Sequence, residues 1–221
     1  MPSELNNDAD PMTASPSKDW QSCDSKRQAI VAGATRMFLA HGFRQVSMDK
    51  IAAAAPVSKA TLYNYFDSKN ALLAEVILQL CSSLQETMQQ AVLEVNHVEL
   101  NLKKIAQSFV DLIFSQDALG LYRLMISESR DFPGLGELVY QSSAQTILPQ
   151  LENYLQQLNS SGCFHIDNPE FAADAFFSLL KGDRHFQCLL GTKPLPSAEE
   201  KQTLINQAVE FYLRGILHAT V

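Results

Sequence analysis

The chain has 221 residues, 46% hydrophobic and 19% charged, so it can bury a sizeable core in one large or two small domains. Its formal net charge of −7 disfavours a polyanionic partner if the charge is evenly spread. No apolar run approaches the roughly 18 residues that cross a bilayer. The acidic, polar start lacks the pattern of a secretory signal, so we expect a cytoplasmic protein.

The charge is not evenly spread along the chain. The first 25 residues carry one basic and five acidic side chains, and residues 26–70 carry seven basic and two acidic ones. The remaining 151 residues carry nine basic and seventeen acidic side chains. A net positive charge is therefore confined to residues 26–70, the one block whose charge suits nucleic acid.

The chain is predicted to begin with a disordered tail over residues 1–25. This segment is polar, contains three prolines and has few large apolar side chains. It cannot bury enough apolar surface to offset the entropy lost on ordering.

Apolar residues recur with helical spacing from residue 26 onward. The first helix is predicted over about 26–41, where His41 and Gly42 give a stop signal. A second, short helix follows an N-cap at Ser47 and ends before Pro56.

A third helix is predicted from an N-cap at Ser58 to about Tyr65, and a long fourth helix from about 69 to 95 after a cap at Ser68. Later helical patterns cover about 99–115, 118–129, 134–159, 169–190 and 197–219. No convincing strand or repeat is present, so the fold class is all-α.

The second and third helices have the size of a helix-turn-helix unit. Its predicted core residues are Ile51, Ala52, Val57, Leu62 and Phe66. The third helix then directs five residues away from this core: Lys59, Ala60, Thr61, Tyr63 and Asn64. Cationic, hydroxyl, amide and phenol groups of this kind bind phosphate oxygens and base edges in a major groove.

The stretch from about Arg27 to Leu73 resembles the TetR (tetracycline-repressor-like) family of transcriptional regulators. The resemblance is carried by His-Gly-Phe at 41–43, Ile-Ala at 51–52, Val-Ser-Lys-Ala-Thr-Leu-Tyr-Asn-Tyr-Phe at 57–66 and Ser-Lys at 68–69. It implies a homodimer, formed through the last two helices, whose recognition helices enter successive major grooves of a palindromic operator. It also implies an all-helical C-terminal domain, over 71–221, that binds a small effector. A repressor released by that effector is the expected function.

The resemblance also implies roles for individual residues. Ser47 and Lys69 match phosphate contacts, and Tyr63 and Tyr65 match positions near the DNA backbone or a base. The full set of DNA-binding candidates is Ser47, Ser58, Lys59, Ala60, Thr61, Tyr63, Asn64, Tyr65 and Lys69.

Two residues depart from the family pattern. Pro56 replaces a turn glycine, and because proline cannot adopt a positive φ we expect the turn to be rebuilt. Ala60 replaces a frequent glycine, which should stiffen the helix and hold its backbone farther from DNA. Both departures leave open a helical ligand-binding module that has lost DNA binding.

The C-terminal helices offer apolar and polar candidates for an effector cavity. These are Phe109, Phe114, Tyr122, Met125, Tyr140, Phe177, Arg184 and Cys188. Arg184 or His185 could neutralise an anionic effector or form hydrogen bonds at a dimer interface.

A helical enzyme using Asp183 and His185 is a third hypothesis, although no nucleophile elbow or ordered triad is present. The four cysteines form no C-x-x-C pair and have no histidine at zinc-ligand spacing. We therefore predict no metal, no cofactor and no enzymatic activity, and free, buried thiols at Cys81 and Cys188.

Overall fold

The computed structural model describes residues 18–93, 97–131, 133–162, 164–215 and 218–219, and these are mostly helical. The helices in these ranges are α1 (Lys18–His41), α2 (Met48–Ala54), α3 (Lys59–Tyr65), α4 (Lys69–Leu93), α5 (Val98–Ile113), α6 (Gln116–Glu128), α7 (Pro133–Ser142), α8 (Ala144–Ser160), α9 (Pro169–Leu189) and α10 (Ala198–Gly215). The prediction of an all-α fold is confirmed. In the described part of the chain, no helix has both the length and the apolar character needed to cross a membrane.

One detail departs from a purely helical chain. Two-residue strands β1 (Phe164–His165) and β2 (His218–Ala219) pair antiparallel, with Phe164 opposite Ala219. The last helix therefore ends at Gly215, and the prediction that it runs to 219 is wrong.

Two further boundaries differ from the prediction. Helix α1 begins at Lys18, so disorder is wrong for residues 18–25, while residues 1–17 lie outside the described residues. The single helix predicted over 134–159 is two helices that meet at Ser143. The hydroxyl of Ser143 donates to Val139 O at 2.6 Å, a side-chain bond that competes with continuation of the helix.

The predicted N-caps are confirmed. The Oγ atoms of Ser47, Ser58 and Ser68 accept hydrogen bonds from backbone N–H groups three residues ahead, at 3.3, 3.0 and 3.1 Å. Gly42 has φ +78° and donates to Phe38 O, which ends α1 where the sequence predicted.

Helices α1 to α3 form a small core. Ile51, Ala52, Leu62 and Phe66 are buried and Val57 packs against them, as predicted. Gly33 of α1 lies against Ala55, and a Cβ added to the glycine would lie 3.1 Å from the Ala55 Cβ, so this crossing needs a small residue. Sequence patterning did not reveal this contact.

Helix α4 joins this small unit to the larger helical body. The predicted domain division after residue 70 falls at the start of α4, which continues unbroken to Leu93. Its Leu72, Leu73 and Val76 are buried, and Ile77 and Cys81 border a cavity farther along.

Helix α9 is broken in its middle. Gly182 has φ +50° and ψ −169°, a conformation open almost only to glycine. The helix therefore consists of a first half, 169–181, and a second half, 183–189, that do not share one continuous helical face.

Candidate nucleic-acid interface and ligand cavity

The outer face of α3 is polar and solvent-exposed. We call this the recognition surface and define it as the exposed residues of α3 together with the N-cap residues of α2 and α3: Ser47, Ser58, Lys59, Ala60, Tyr63 and Asn64. Tyr63 is 43% exposed although it is aromatic, so its ring is available to a partner. These residues are held in place by the buried Leu62 on the opposite face.

Two predicted residues lie at the margin of this surface. Thr61 is half-buried, and its hydroxyl lies 2.7 Å from Ser58 Oγ. Tyr65 is half-buried and packs against the core, so its ring positions α3 more than it faces outward.

Lys59 is paired in the DNA-free structure. Its Nζ lies 2.8 Å from Oδ1 of Asp49 on α2, and this hydrogen bond raises the pKa of Lys59. Both side chains are more than 60% exposed, so water weakens the pair and a phosphate can compete for the lysine.

Lys69 points inward, towards the loop between α1 and α2. Its ammonium donates to Phe43 O at 2.8 Å and to Val46 O at 2.9 Å, and it lies 4.3 Å from the centroid of the Phe43 ring. Burial lowers its pKa. The geometry is that of a loop brace, whereas the phosphate contact that the resemblance implies for Lys69 stays a prediction.

The turn between α2 and α3 retains one hydrogen bond of a helix-ending motif despite the proline. Val57 N–H donates to Ala52 O at 3.1 Å, one of the two bonds of a Schellman motif. The second bond cannot form because Pro56 has no N–H. Pro56 has φ +21°, so the expectation of a rebuilt turn is wrong, and the strain lies on Pro56 itself.

Other basic residues of the 26–70 block also have partners within the chain. Arg36 donates to Ala54 O at 3.2 Å, and Arg44 lies 3.5 Å from Asp131. The positive charge of the block is therefore partly used in holding the unit together.

A cavity of about 370 Å³ lies among helices α4 to α9. Its volume is within the range of small-molecule pockets, about 300–1,000 Å³. Five predicted candidates line it: Phe109, Tyr122, Met125, Tyr140 and Phe177. Most of the other lining residues are aliphatic.

Three predicted candidates lie outside this lining. Phe114 is 1% exposed and packs edge-on against His185. Arg184 donates to Pro194 O, and Cys188 Sγ contacts the same carbonyl oxygen. Phe177, Arg184 and Cys188 would share a stripe on an unbroken helix, but the break at Gly182 separates the last two from the cavity.

Sequence reasoning missed the charged residues of the cavity, Lys181 and Asp174. Lys181 is half-buried, and burial lowers its pKa while the charge of Asp174 opposes that shift. Within the described ranges, no hydrogen bond or ion pair reaches the Lys181 ammonium. The helical spacing from Asp174 through Phe177 to Lys181 was the signal that could have found them.

His185 lies behind Tyr122. It is 5% exposed, its ring centroid is 5.2 Å from that of Tyr122, and its Nε2 has no hydrogen-bond partner among the described residues. Burial, followed by the charge of Lys181, lowers the pKa of His185. Asp183, its proposed catalytic partner, is exposed and accepts a bond from Gln187, so the two do not face a common site.

The prediction that Cys81 and Cys188 have free, buried thiols is confirmed. Cys81 and Cys188 are 4% and 3% exposed, and burial raises the pKa of Cys81 to about 11. In the described ranges, no group of histidine, cysteine and carboxylate side chains has an arrangement that could hold a metal ion.

Large apolar side chains are exposed on α9, just after it, and on α10. Phe171, Phe186, Leu190 and Phe211 are 59–66% exposed. Ile216 and Leu217, which follow α10 in the sequence, lie outside the described residues.

Helix α6 touches both the cavity and α1. Tyr122 and Met125 line the cavity. Near α1, a Cβ added to Gly120 would lie 2.9 Å from the Leu39 side chain. At the end of α6, the Glu128 carboxylate accepts a hydrogen bond from Arg44 N at 3.3 Å. A shift of α6 at the cavity would therefore also change its contacts with the end of α1.

Comparisons with known proteins agree with this arrangement. Residues 30–76 match the family described as bacterial regulatory proteins, tetR family, and residues 100–215 match the AefR-like transcriptional repressor, C-terminal domain. The activator FasR of Mycolicibacterium smegmatis is 31% identical over 102 residues, and the chain spans about half of it, 46% of each.

Solved structures are similar over more of the chain. A TetR-family regulator from Mesorhizobium loti is 25% identical with a TM-score of 0.72, over 87% of this chain and 96% of that one. The flavonoid-responsive regulator FrrA is 30% identical with a TM-score of 0.65, over 88% of this chain and 98% of its own.

Proposed function

Because the chain belongs to the TetR family of transcriptional regulators, we propose that it is a repressor that a small effector releases from a palindromic operator. The observation that carries this proposal is the recognition surface, a polar, exposed helix face on a buried three-helix core. Helices presented in this way enter the major groove, where their exposed side chains reach base edges. We also propose that it acts in the cytoplasm, where its DNA target would lie.

The proposed division of roles follows exposure. Asn64 and Tyr63 read bases, Ser47 and Lys59 contact phosphates, and Lys69 braces the loop that orients α2. Asn64 is assigned to bases because an exposed amide can both donate to and accept from a base edge.

Operator binding would need two subunits. We assign their contact to the exposed apolar side chains of α9 and α10, since large apolar side chains exposed to water are stabilised by burial against a partner. A two-fold dimer places two copies of α3 on the same side, as a palindrome requires.

The effector would act by shifting a population of conformations. Helices α4 and α6 both border the cavity and both contact the DNA-binding unit, α4 through Lys69 and α6 through Gly120 and Glu128. A ligand that favours a different position of these helices favours a different spacing of the two recognition helices, and the coupling is reciprocal.

DNA binding is tested by fluorescence anisotropy with duplex from the upstream region of the gene, over a salt series. We expect binding with a steep salt dependence. Asn64→Ala should cost about 1–3 kcal/mol on this duplex and little on random duplex, whereas Asn153→Ala, exposed on α8, should change neither. No binding to any duplex at low salt would refute the proposal.

The subunit contact is tested by sedimentation. Phe186→Glu should convert the dimer to monomer, because it places a charge in the apolar contact. Ile126→Glu is the matched control, since Ile126 is equally apolar and 64% exposed but lies on α6. A dimer that survives Phe186→Glu and is lost in Ile126→Glu would move the interface to α6.

A further inference from the structure

The cavity contains a cation that has no hydrogen-bond or ion-pair partner among the described residues. Lys181 is the last residue of the first half of α9 and lines the cavity beside Phe177. Its ammonium makes no hydrogen bond or ion pair with any described residue. Asp174, two helical turns earlier, is exposed and influences Lys181 only through its charge.

An unpaired ammonium among aliphatic and aromatic side chains is unfavourable. Burial removes water from the charge, and among the described residues no hydrogen bond replaces that water, while the exposed Asp174 acts on Lys181 only through its charge. Loss of hydration without compensation is the condition in which an anionic ligand gains most from a single cation.

A second polar group lines the same cavity. Tyr122 lines the cavity, and in the described part of the chain its hydroxyl has no hydrogen-bond partner. Its ring packs against His185, which lies four residues after Lys181 on α9. The cavity lining therefore offers one positive charge and one neutral O–H donor to a ligand.

We propose that this cavity binds a small monocarboxylate, whose carboxylate pairs with Lys181 and accepts a hydrogen bond from the Tyr122 hydroxyl. The inference rests on the proposed function of the cavity as an effector site. Among the described residues Lys181 is the one cation of the lining and Asp174 adds an exposed carboxylate, so a phosphate dianion would leave negative charge uncompensated in an apolar site. A positively charged ligand would be repelled by Lys181.

The rest of the ligand is apolar and limited in size. Phe109, Phe177, Leu80 and Ile147 surround the space beyond Lys181. A cavity of about 370 Å³ accommodates a medium-length acyl chain or two fused aromatic rings.

The test is isothermal titration of the full chain, without DNA, with decanoate, decan-1-ol and decylammonium. We expect decanoate to bind more tightly than decanol, and decylammonium to bind most weakly. Lys181→Met should weaken decanoate about ten- to a hundredfold, the usual worth of a hydrogen bond to a charged group. It should leave decanol unchanged.

Two further variants make the result specific. Lys181→Arg keeps the charge and should retain decanoate binding within a few-fold. Lys193→Met removes an exposed lysine outside the cavity lining and should have no effect. Thermal unfolding gives an independent readout. Without ligand, Lys181→Met should raise the Tm, because it removes a desolvated charge. Decanoate should raise the Tm of the wild type, Lys181→Arg and Lys193→Met much more than that of Lys181→Met.

Three results would overturn the inference: no binding of decanoate or 2-naphthoate, equal affinity for decanoate and decanol, or tighter binding of decylammonium. Operator binding is measured separately by anisotropy. Loss of duplex binding in an otherwise decanoate-binding protein would reject the proposed function, whereas duplex binding without decanoate binding would reject only the ligand class.

Discussion

Replacement of Lys69 by methionine distinguishes a brace from a phosphate contact. The substitution keeps an apolar stem but removes two charge-assisted hydrogen bonds, to Phe43 O and Val46 O, and the contact with the Phe43 ring. Hydrogen bonds to charged groups contribute about 1.5–3 kcal/mol each.

The net effect is smaller than the sum of these contacts. Lys69 is only half-buried, so water can reach the carbonyl groups that it leaves, and burial of its own charge opposes the gain. We therefore expect Lys69→Met to lower the free energy of unfolding by about 1–2 kcal/mol, measured by urea denaturation.

The two roles predict different salt dependences of duplex binding. A brace acts on the position of α2, so Lys69→Met should weaken binding at every salt concentration without changing the slope of log K against log salt. A direct phosphate contact would reduce that slope by about one. Lys59→Met is the control, because Lys59 is exposed on α3: it should reduce the slope and leave stability nearly unchanged. Unchanged stability with a reduced slope in Lys69→Met would refute the reasoning.

Three other changes test separate features of the structure. Asp49→Asn should strengthen duplex binding and steepen its salt dependence, since it releases Lys59; weaker binding measured by anisotropy would contradict this. Pro56→Gly should raise the free energy of unfolding by about 1 kcal/mol, because relief of backbone strain exceeds the entropy gained by the unfolded chain; a lower Tm would show that the turn is not strained. The pKa of His185 is lowered in the folded state, so its contribution to stability is complete above the unfolded pKa of 6.5 and is lost as the pH falls below it. Urea unfolding over a pH series should show a larger loss of the free energy of unfolding at low pH in the wild type than in His185→Gln. The same dependence of that free energy on pH in both proteins would contradict the prediction.

The DNA-binding unit was predictable because its signals are local. Helices α2 and α3 are defined by serine N-caps and by apolar residues at helical spacing. Neither signal depends on residues that are distant in the sequence. The direction of Lys69 was not predictable, since a flexible side chain can reach either solvent or a loop more than twenty residues away.

The cavity was predicted less completely for a geometric reason. Residues 177, 184 and 188 lie on one stripe only if α9 is continuous, and Gly182 interrupts it. Pattern analysis assigns no kink to a single glycine inside a helical run. The start of α1 was missed because residues 18–25 have a polar composition that resembles a tail.

The break at Gly182 gives the two halves of α9 different surroundings. The first half of α9 carries Phe177 and Lys181 at the cavity, and the second half carries the exposed Phe186. Since the halves do not share a face, mutations that retune ligand choice can accumulate before residue 182 without altering the surface after it. In a dimer formed through the proposed contact, the part of that contact that follows residue 182 would be preserved while the choice of ligand changed.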